Sequence, residues 1–259
     1  MSIKSKQLNI LNKAKLLFQQ YDINQPNLTG LIWNMINDEN QQSIINSSET
    51  NEFSENWSND LVGQLQRILV NYQLHQLKIG NGPKVFILIN EIFNNIKGDN
   101  LTLIDIGCTT GYYYEILNFF FENKFKYFGC DYNEASIKLA KQYYPNIEFD
   151  VEDITKLSYS DKQFDISFLS GVIEHVPDYE KGIQELCRIT KKYIVLHRIY
   201  LTDNQTVCKK GTQYLVPVIR YTYNYIDFFS LLNKNNFRIK WQSSGYFDNN
   251  CKSYILERI

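Results

Sequence analysis

The sequence has few of the residues that mark disulfide-linked, metal-binding or membrane-spanning proteins. Its five cysteines form no Cys-x-x-Cys pair and have no metal-ligand spacing with the three histidines, so we expect reduced, buried thiols and no bound metal. The longest apolar run, residues 85–89, is far shorter than the roughly 18 residues that span a bilayer. The N-terminus is polar and shows no secretion signal, which favours a cytoplasmic protein with no membrane partner.

The sequence also lacks an excess of charge of either sign. The formal net charge is -1 at pH 7, and no dense stripe of Lys and Arg is present, which argues against a nucleic-acid partner and favours a small molecule. With 259 residues, of which 44% are hydrophobic, the chain can bury about 70 to 75% of its unfolded surface. We therefore expect one large domain with an extension, of undetermined oligomeric state.

The stretch 101–131 organises the rest of the chain. It opens with an apolar, β-branched run that predicts a strand buried on both faces of a parallel sheet. Gly107 and Gly111 bracket the loop that follows, and residues 112–121 predict a helix whose first-turn amides face that loop. A second predicted strand ends at Asp131, where open α/β sheets bind ligands. This order of elements is typical of a nucleoside-binding half.

Two classes of adenosine cofactor use this layout, and the loop discriminates between them. A dinucleotide fold needs Gly-x-Gly-x-x-Gly so that the backbone can approach a pyrophosphate. This loop reads Gly-x-x-x-Gly and follows Asp105 in the strand. A carboxylate there would repel a pyrophosphate, but it would attract a ligand that carries an ammonium and a sulfonium group. A dinucleotide-dependent oxidoreductase is thus the less favoured alternative.

At these residues the sequence resembles the class I S-adenosylmethionine-dependent methyltransferases, particularly the bacterial small-molecule enzymes. LIDIGCTTG resembles their first motif and YFGCDYNEASIKLAK their second. The resemblance implies S-adenosyl-L-methionine as the cofactor, with Asp131 on the ribose hydroxyls, Asp153 on the adenine amino group and Ile154 against the adenine ring. The family usually has a small residue where this chain has Thr109. The implied cofactor-binding residues are Asp105, Gly107, Cys108, Thr109, Gly111, Asp131, Tyr132, Asp153, Ile154 and Ser170.

The predicted fourth strand, residues 163–170, runs into a loop that contains Glu174 and His175. In the architecture that the resemblance implies, this strand lies beside the first, so its carboxyl end faces the transferable methyl group. His175 is therefore the best placed general base, because an imidazole of ordinary pKa is partly neutral at pH 7. The alternative is that Glu174 and His175 only fix the loop and the start of the next helix.

The predicted fifth strand, residues 193–196, ends at His197 and Arg198, whose side chains we expect at the ligand edge of the sheet. An arginine there can bind a carboxylate or phosphate through paired hydrogen bonds, or it can instead pair with Glu174. In the resembling family, the segment corresponding to residues 200–223 commonly contributes to the acceptor pocket. The predicted acceptor-binding residues are Glu174, His197, Arg198 and Arg220.

The remaining patterns predict an α/β fold: a Rossmann-like, doubly wound, seven-stranded sheet whose last strand is antiparallel, with an N-terminal helical extension. Further helices are predicted over residues 60–79, 84–96, 133–143, 179–190 and 225–232, and further strands over 126–130, 146–151, 237–243 and 253–259. We divide the chain into an extension, 1–82, and a methyltransferase domain, 83–259. The extension has a helical stripe over 3–20 and a polar loop at 37–59. We expect it either to cover the acceptor pocket as a lid or to pack against the domain.

These features predict a methyltransferase that uses S-adenosylmethionine to methylate an oxygen or nitrogen of a small polar acceptor. Arg198 and the associations of the resembling bacterial enzymes favour a sugar-linked or phosphorylated intermediate of surface polysaccharide biosynthesis. The alternative is a methyltransferase-like protein that keeps the fold as a non-catalytic binding or partner subunit. Thr109, which replaces a small residue in the loop, is the feature that points to this alternative.

Overall fold

The computed structural model describes residues 5, 7–13, 38–44, 55–244 and 251–259. The helices are α1 (Val62–Lys78), α2 (Lys84–Asn94), α3 (Tyr112–Phe121), α4 (Glu134–Tyr143), α5 (Tyr179–Ile189) and α6 (Tyr225–Lys234). The strands are β1 (Asp38–Ile44), β2 (Leu101–Ile106), β3 (Phe125–Asp131), β4 (Glu148–Val151), β5 (Phe164–Ser170), β6 (Thr190–Thr202), β7 (Val207–Gln213), β8 (Val216–Asn224), β9 (Phe237–Gln242) and β10 (Cys251–Arg258). Short 3-10 turns occupy Glu55–Ser58 and Ile173–His175, and residues 7–13 are helical.

Seven strands form the central sheet in the order β4-β3-β2-β5-β6-β10-β9. The pairs from β4 to β6 are all parallel, whereas β10 runs antiparallel to both of its neighbours. The predicted seven-stranded, doubly wound sheet with an antiparallel last strand is therefore confirmed. In this order the carboxyl ends of β2, β3, β5 and β6 meet along one edge, where such sheets bind ligands.

Two apolar layers enclose the sheet because its central strands have apolar residues on both faces. On one face, Ile104 of β2 packs in a cluster with Leu186 of α5 and Phe228 of α6. On the other, Leu103 packs in a cluster with Ile92 of α2, together with side chains of α3 and α4. This arrangement explains why β2 is apolar almost throughout rather than alternating.

Local capping signals in the sequence also agree with the structure. Asn133 is the N-cap of α4, and its side chain accepts a hydrogen bond from the Ser136 N–H at 3.0 Å. Asn224 does the same for α6, accepting from the Asp227 N–H at 3.0 Å. Such caps satisfy one of the amides that a helix leaves without an internal partner.

The segment 200–223, in which the sequence predicted no strand, forms strands. β6 continues to Thr202, and β7 and β8 then form an antiparallel hairpin. The hairpin turns at Tyr214 and Leu215, whose φ angles are 47° and 65°. Two-residue hairpin turns with two positive φ angles usually contain Asn or Gly. Because this turn has neither, the sequence carried no hairpin signal.

The predicted polar loop at 37–59 is partly wrong. Residues Asp38–Ile44 form β1, which pairs antiparallel with β7 and extends the sheet to ten strands. The sequence DENQQSI lacks the apolar alternation of a strand, so its extended conformation comes from pairing with the edge of β7. The helical stripe predicted over 3–20 is described only at residues 7–13. The rest of that stripe and the turn at 245–250 lie outside the described residues.

A third apolar cluster joins the N-terminal part of the chain to the hairpin. It contains Leu11 of the helical residues 7–13, Leu65 and Leu69 of α1, and Val216 and Val218 of β8. We call residues 7–13, β1, the turn Glu55–Ser58, β7 and β8 the cap. Because α1 also contributes Val70 and Leu74 to a sheet cluster, the domain boundary at residue 82 stays a prediction.

Polar contacts connect the cap to the loops that follow β3 and β5. The Asn133 Nδ2 donates to the carbonyl oxygens of Trp57 and Asn59 at 2.6 and 3.2 Å, and the His175 ring hydrogen-bonds the Ile219 carbonyl. The cap therefore lies over the ligand edge of the sheet. All five cysteines lie in the described ranges and are buried, and none of them forms a disulfide bond. In the described ranges, no helix combines the length and apolarity that crossing a bilayer requires.

Candidate functional site

The glycine loop after β2 is held open by two left-handed glycines. Gly107 has φ 73° and Gly111 has φ 71°, conformations that glycine adopts without a steric penalty. The N–H groups of Gly107 and Cys108 both donate to the Cys130 carbonyl, at 2.8 and 2.9 Å, which fixes the loop to the end of β3. Gly111 is the N-cap of α3 and supplies no side-chain cap. The Tyr114 N–H donates to the Gly111 carbonyl at 3.1 Å, and the two preceding amides of α3 are available to a ligand above the loop.

Asp131, at the end of β3, lies beside the glycine loop with only 9% of its surface exposed. Its Oδ2 accepts a hydrogen bond from the Thr109 N–H and its Oδ1 from the Asn133 N–H, both at 2.9 Å. Burial raises the pKa of Asp131, and these backbone hydrogen bonds oppose the shift. Each oxygen keeps a lone pair, so the carboxylate can still accept hydrogen bonds from two ligand hydroxyls.

Asp105 lies in β2 below the glycine loop and is fully enclosed. Its Oδ2 accepts a hydrogen bond from the Tyr127 hydroxyl at 2.5 Å. Burial, to which the nearby Asp131 charge adds, raises the pKa of Asp105 to about 8. The carboxyl group is therefore mostly protonated at neutral pH in the free protein. A cationic ligand above the loop would favour its ionised form.

Thr109 occupies a position of the loop that suits glycine. Its φ is 51°, a left-handed conformation that is unusual for a β-branched residue. The hydroxyl group folds back to donate to the Gly107 carbonyl at 3.4 Å. The structure thus gives a physical reason for the small residue that the family usually has here.

Replacing Thr109 with Gly should stabilise the protein by about 0.5 to 1 kcal/mol. Relief of the left-handed strain contributes about 1 to 2 kcal/mol, and the added freedom of the unfolded chain offsets about 0.5 to 1 kcal/mol of that. Urea denaturation measures the difference. Thr110→Gly is the control: Thr110 is buried and its φ is not positive, so this change should destabilise. An equal loss of stability in Thr109→Gly and Thr110→Gly would contradict the assignment of backbone strain to Thr109.

Three of the predicted cofactor-binding residues lie after β3 and β4, namely Tyr132, Asp153 and Ile154. Tyr132 is 41% exposed, whereas Ile154 is buried in the cluster that contains Ile173. The Asp153 Oδ1 accepts hydrogen bonds from the N–H and the hydroxyl of Thr155, both at 2.9 Å. One carboxylate oxygen of Asp153 therefore caps a turn. Its contact with adenine stays a prediction.

A β-bulge in β6 positions Arg198. The register with β10 shifts between Lys252 and Tyr254, so that His197 and Arg198 both lie opposite Ser253, whose hydroxyl accepts from the Arg198 N–H at 3.2 Å. Arg198 has φ 65°. Bulges of this kind re-aim a side chain and are frequent next to active sites. The bulge directs the guanidinium to Ser170 at the end of β5, where Nη2 donates to Oγ at 3.2 Å.

Glu174 is buried close to Arg198 but does not form an ion pair with it. Only 3% of Glu174 is exposed, and its Oε2 has no hydrogen-bond partner among the described residues. Burial raises the pKa of Glu174, and the positive charges of Arg198 and Arg220 oppose the shift. No described Lys or Arg nitrogen lies within 4.0 Å of this carboxylate. The predicted alternative of a direct Arg198–Glu174 pair is therefore not observed.

His175 is part of the 3-10 turn after β5 and is held from both sides. Its Nδ1 hydrogen-bonds the Ile219 carbonyl, so this nitrogen carries the proton and Nε2 keeps its lone pair. The ring centroid lies 4.8 Å from that of Trp57 in the cap. Burial, followed by the charges of Arg220 and Arg198, lowers the pKa of His175 to about 3. The imidazole is therefore neutral throughout the physiological range.

His197 is placed differently from its prediction. It is completely buried, and its Nδ1 lies 2.8 Å from the Ser253 hydroxyl. Burial lowers the pKa of His197 well below its usual range. The prediction assumed that the strand ends at residue 196, but β6 continues to Thr202 and the bulge leaves His197 in the core. Its side chain thus supports the sheet beneath Arg198 and is covered on all sides.

Two site residues received no role from the sequence. The Tyr113 hydroxyl shares a 2.7 Å hydrogen bond with Ser170 Oγ, which connects the start of α3 to the Arg198 guanidinium. Asn133 was predicted only as the first residue of a helix, but its side-chain amide also donates to the Trp57 carbonyl of the cap. The aromatic run directly after the glycine loop was the available signal for Tyr113.

Arg220 remains partly exposed on β8, with its guanidinium 5.3 Å from the Tyr200 ring centroid.

Comparison with known proteins identifies what this arrangement is similar to. A family model described as a methyltransferase domain matches residues 97–235, just over half of the chain. The demethylmenaquinone methyltransferase of Paenarthrobacter aurescens is 34% identical over 62 residues, 24% of this chain and 24% of that protein. The tRNA U34 carboxymethyltransferase of Nautilia profundicola is 25% identical over 171 residues, 60% of this chain and 56% of that protein.

A solved structure has the same fold over most of the chain. It is the 1,6-didemethyltoxoflavin-N1-methyltransferase of Burkholderia thailandensis with bound 1,6-didemethyltoxoflavin and S-adenosylhomocysteine. Its TM-score is 0.57 at 11% identity, covering 84% of this chain and 94% of that one. At this identity the likeness shows the fold alone. The two curated relatives are matched over about a quarter and just over half of their own length.

Proposed function

We propose, from the premise that this chain belongs to the class I S-adenosylmethionine-dependent methyltransferases, that it methylates an oxygen or nitrogen of a small polar acceptor. The observation that carries the proposal is the meeting of two sets of groups at one sheet edge. The glycine loop follows β2 and Asp131 ends β3, whereas Glu174 and His175 lie on the turn after β5 and Arg198 lies within β6. A sugar-linked or phosphorylated acceptor, such as an intermediate of surface polysaccharide biosynthesis, is the finer form of this proposal.

The groups around the glycine loop fit S-adenosylmethionine. Asp131 has acceptor capacity left for both ribose hydroxyls, and α3 begins without a side-chain cap. Asp105 provides a buried carboxyl group whose ionised form would offset a positive charge above the loop. When bound, the cofactor supplies an electrophilic methyl group on a sulfonium. The protein's task is then to align the acceptor and to exclude water.

Residues on the opposite side of the site are proposed to hold the acceptor. Arg198 and Arg220 provide positive charge, and Glu174 can accept a hydrogen bond from a hydroxyl or amine through its unpartnered Oε2. His175 presents Nε2 as an acceptor, because Nδ1 is bonded to Ile219. With a pKa of about 3, His175 is a weak base. Its proposed role is to accept a hydrogen bond from the nucleophile and to take the proton only as the new bond forms.

RNA is the second acceptor class to test, because one relative is a tRNA-modifying enzyme. Two observations favour a small molecule. The net charge of the chain is -1, whereas RNA-binding surfaces are usually basic. Glu174 is buried, and Trp57 of the cap packs against the neighbouring His175 ring, so two of the residues proposed to hold the acceptor are covered.

The decisive experiment has two stages. Calorimetric titration with S-adenosylmethionine, S-adenosylhomocysteine and NAD should give micromolar affinity for the first two ligands and none for NAD. Transfer of a labelled methyl group is then measured to sugar phosphates, nucleotide sugars and unmodified tRNA in parallel. Label in a small-molecule fraction is expected, and label confined to tRNA would replace the proposed acceptor class. Cofactor binding without transfer to any pool would favour a non-catalytic subunit.

A further inference from the structure

The acceptor side of the site contains an unusual arrangement of buried charge. Glu174, on the turn after β5, lies with Arg198 of β6 around Gly171. The strand β8 packs against this turn, with the Ile219 carbonyl on the His175 ring and the Tyr223 hydroxyl on the Ile173 carbonyl. The charges of Arg198 and Arg220 both act on Glu174. Buried charges in proteins are normally paired and fully hydrogen-bonded, because removing them from water costs several kcal/mol each. Here Glu174 forms no ion pair with any described residue. Two polar atoms, Glu174 Oε2 and Arg198 Nε, are buried without a hydrogen-bond partner in the described part of the chain.

Gly171 keeps the space between these groups open. A Cβ at this position would lie 2.9 Å from Arg198 Nη2 and 3.5 Å from Glu174 Oε1. Its φ of 66° also favours glycine. The guanidinium and the carboxylate therefore border the same small volume, at the carboxyl end of β5. A group that occupied this volume would contact both.

The backbone holds Arg198 in this position at an energetic cost. A bulge and a left-handed φ of 65° direct its side chain, and such conformations persist where the surrounding structure over-determines them. The Ser253 hydroxyl fixes the bulge through the Arg198 N–H at 3.2 Å. Ser170 receives only one donor of the guanidinium, at 3.2 Å. Arg198 is thus fixed in place while part of its hydrogen-bonding capacity is unused.

We propose that Arg198, Arg220 and Glu174 form a proton-coupled oxyanion site, in which a carboxylate or phosphate group of the acceptor binds the arginines while Glu174 becomes protonated. This inference rests on the proposed function for the identity of the ligand as the methyl acceptor. It specifies the acceptor as an anion. It also assigns to Glu174 the role of balancing the positive charges of Arg198 and Arg220 when no acceptor is bound. No bond is formed or broken in this step, and one proton is taken up from solvent.

The coupling follows from the electrostatics of the three side chains. An incoming oxyanion is attracted by two guanidinium groups and repelled by an ionised Glu174. It also cancels part of the positive charge that opposes the rise in the pKa of Glu174 on burial, so that the protonated form becomes more favoured. Binding of the anion therefore takes up a proton, and its affinity should rise as the pH falls. Tyr223 faces Glu174 as a neutral hydroxyl that donates to the Ile173 carbonyl.

Sulfate and acetate are suitable probes, because neither changes its charge between about pH 6 and pH 8.5. Titration of the full chain, followed by calorimetry and by the thermal midpoint, should show binding that strengthens toward pH 6. Arg198→Gln should weaken both probes at least about tenfold, the loss expected for a charge-assisted pair of hydrogen bonds. Arg238→Gln, a change of an exposed arginine on β9, should have no effect.

Glu174→Gln separates this proposal from a purely structural role of the cluster. The variant removes the repelling charge but keeps the size of the side chain, so sulfate affinity at pH 7.5 should rise at least about fivefold and lose its pH dependence. Gly171→Ala, which fills the shared volume, should abolish probe binding while a melting curve reports whether the variant is folded. Weaker sulfate binding in folded Glu174→Gln would overturn the proposal.

The methionine moiety of the cofactor also ends in a carboxylate, which is a second source of an anion for this site. One further measurement distinguishes the cofactor carboxylate from an acceptor anion. Sulfate and acetate are titrated again with S-adenosylhomocysteine at saturation. Unchanged affinity is expected for an acceptor site, and competition would overturn the assignment to the acceptor. If the protein binds sulfate as described but binds no S-adenosylhomocysteine, the proposed methyltransferase function fails while the oxyanion site stands.

Discussion

Replacing Asp131 with Ala is expected to weaken S-adenosylhomocysteine binding by about 2 to 3 kcal/mol, roughly 30- to 150-fold. The carboxylate is proposed to accept hydrogen bonds from both ribose hydroxyls, and bonds to charged groups are the strong ones. It also holds the glycine loop and the start of α4 through the N–H groups of Thr109 and Asn133, each at 2.9 Å. Loss of those two bonds would loosen the cofactor site further. Calorimetric titration measures the change directly.

Two variants serve as controls for this result. Asp131→Asn keeps one carbonyl acceptor of the same shape, so its affinity should lie between those of the original protein and Asp131→Ala. Asp227→Ala changes an exposed acid on α6, distant in sequence from the glycine loop, and should leave the affinity as it is. If Asp131→Ala binds S-adenosylhomocysteine as tightly as the unchanged protein, the ribose assignment is wrong.

Binding of S-adenosylmethionine is expected to release up to one proton near pH 7. The pKa of Asp105 is raised to about 8 by burial in the free protein, and the positive charges of the ligand favour the carboxylate. Because the free form holds more protons, affinity should rise with pH, by up to about tenfold per unit, and level off above pH 8. Titration heats in two buffers of different ionisation enthalpy give the number of protons released.

Matched comparisons isolate the contribution of Asp105. Asp105→Asn should bind without proton release and with a flat pH profile. S-adenosylhomocysteine lacks the sulfonium charge and should release a smaller fraction of a proton from the unchanged protein. The stability of the free protein provides a separate check. The pKa of Asp105 in the folded protein exceeds its unfolded value of about 3.9. The contribution of Asp105 to the free energy of unfolding is therefore fully present below about pH 3.9 and is lost as the pH rises through about 8. Equal proton release in Asp105→Asn would exclude this carboxyl group as the source.

Features that depend on neighbours in the sequence were predictable. β2 (Leu101–Ile106) and α3 (Tyr112–Phe121) have the bounds that their apolar patterns predicted. The Asn133 cap of α4 and the place of Asp131 at a strand end also followed from local chemistry. Such patterns succeed because helix and strand periodicity, caps and glycine loops are set within a few residues. The cofactor half of the site was accessible for the same reason.

The acceptor half was less predictable because it depends on pairing between distant segments. A bulge opposite Ser253 of β10 places His197 in the core and directs Arg198 toward the site. No local sequence pattern in β6 predicts this bulge. The hairpin turn at Tyr214 and Leu215 lacks the residues that usually mark such turns. β1 has a polar sequence and becomes a strand by pairing with β7.

The sequence by itself determined the order of the elements of the seven-stranded sheet, the class of fold and the acid at the end of β3, because each depends on interactions within a short stretch of chain. Only the tertiary structure decided which charged groups lie together on the side that we propose for the acceptor. Arg198, Glu174 and Arg220 come from three elements that are separated in sequence, on β6, the turn after β5 and β8. The burial of Glu174 beside Arg198 without a direct ion pair depends on the bulge and on the cap above them. These long-range contacts make a cluster of ordinary charged residues into a candidate anion site.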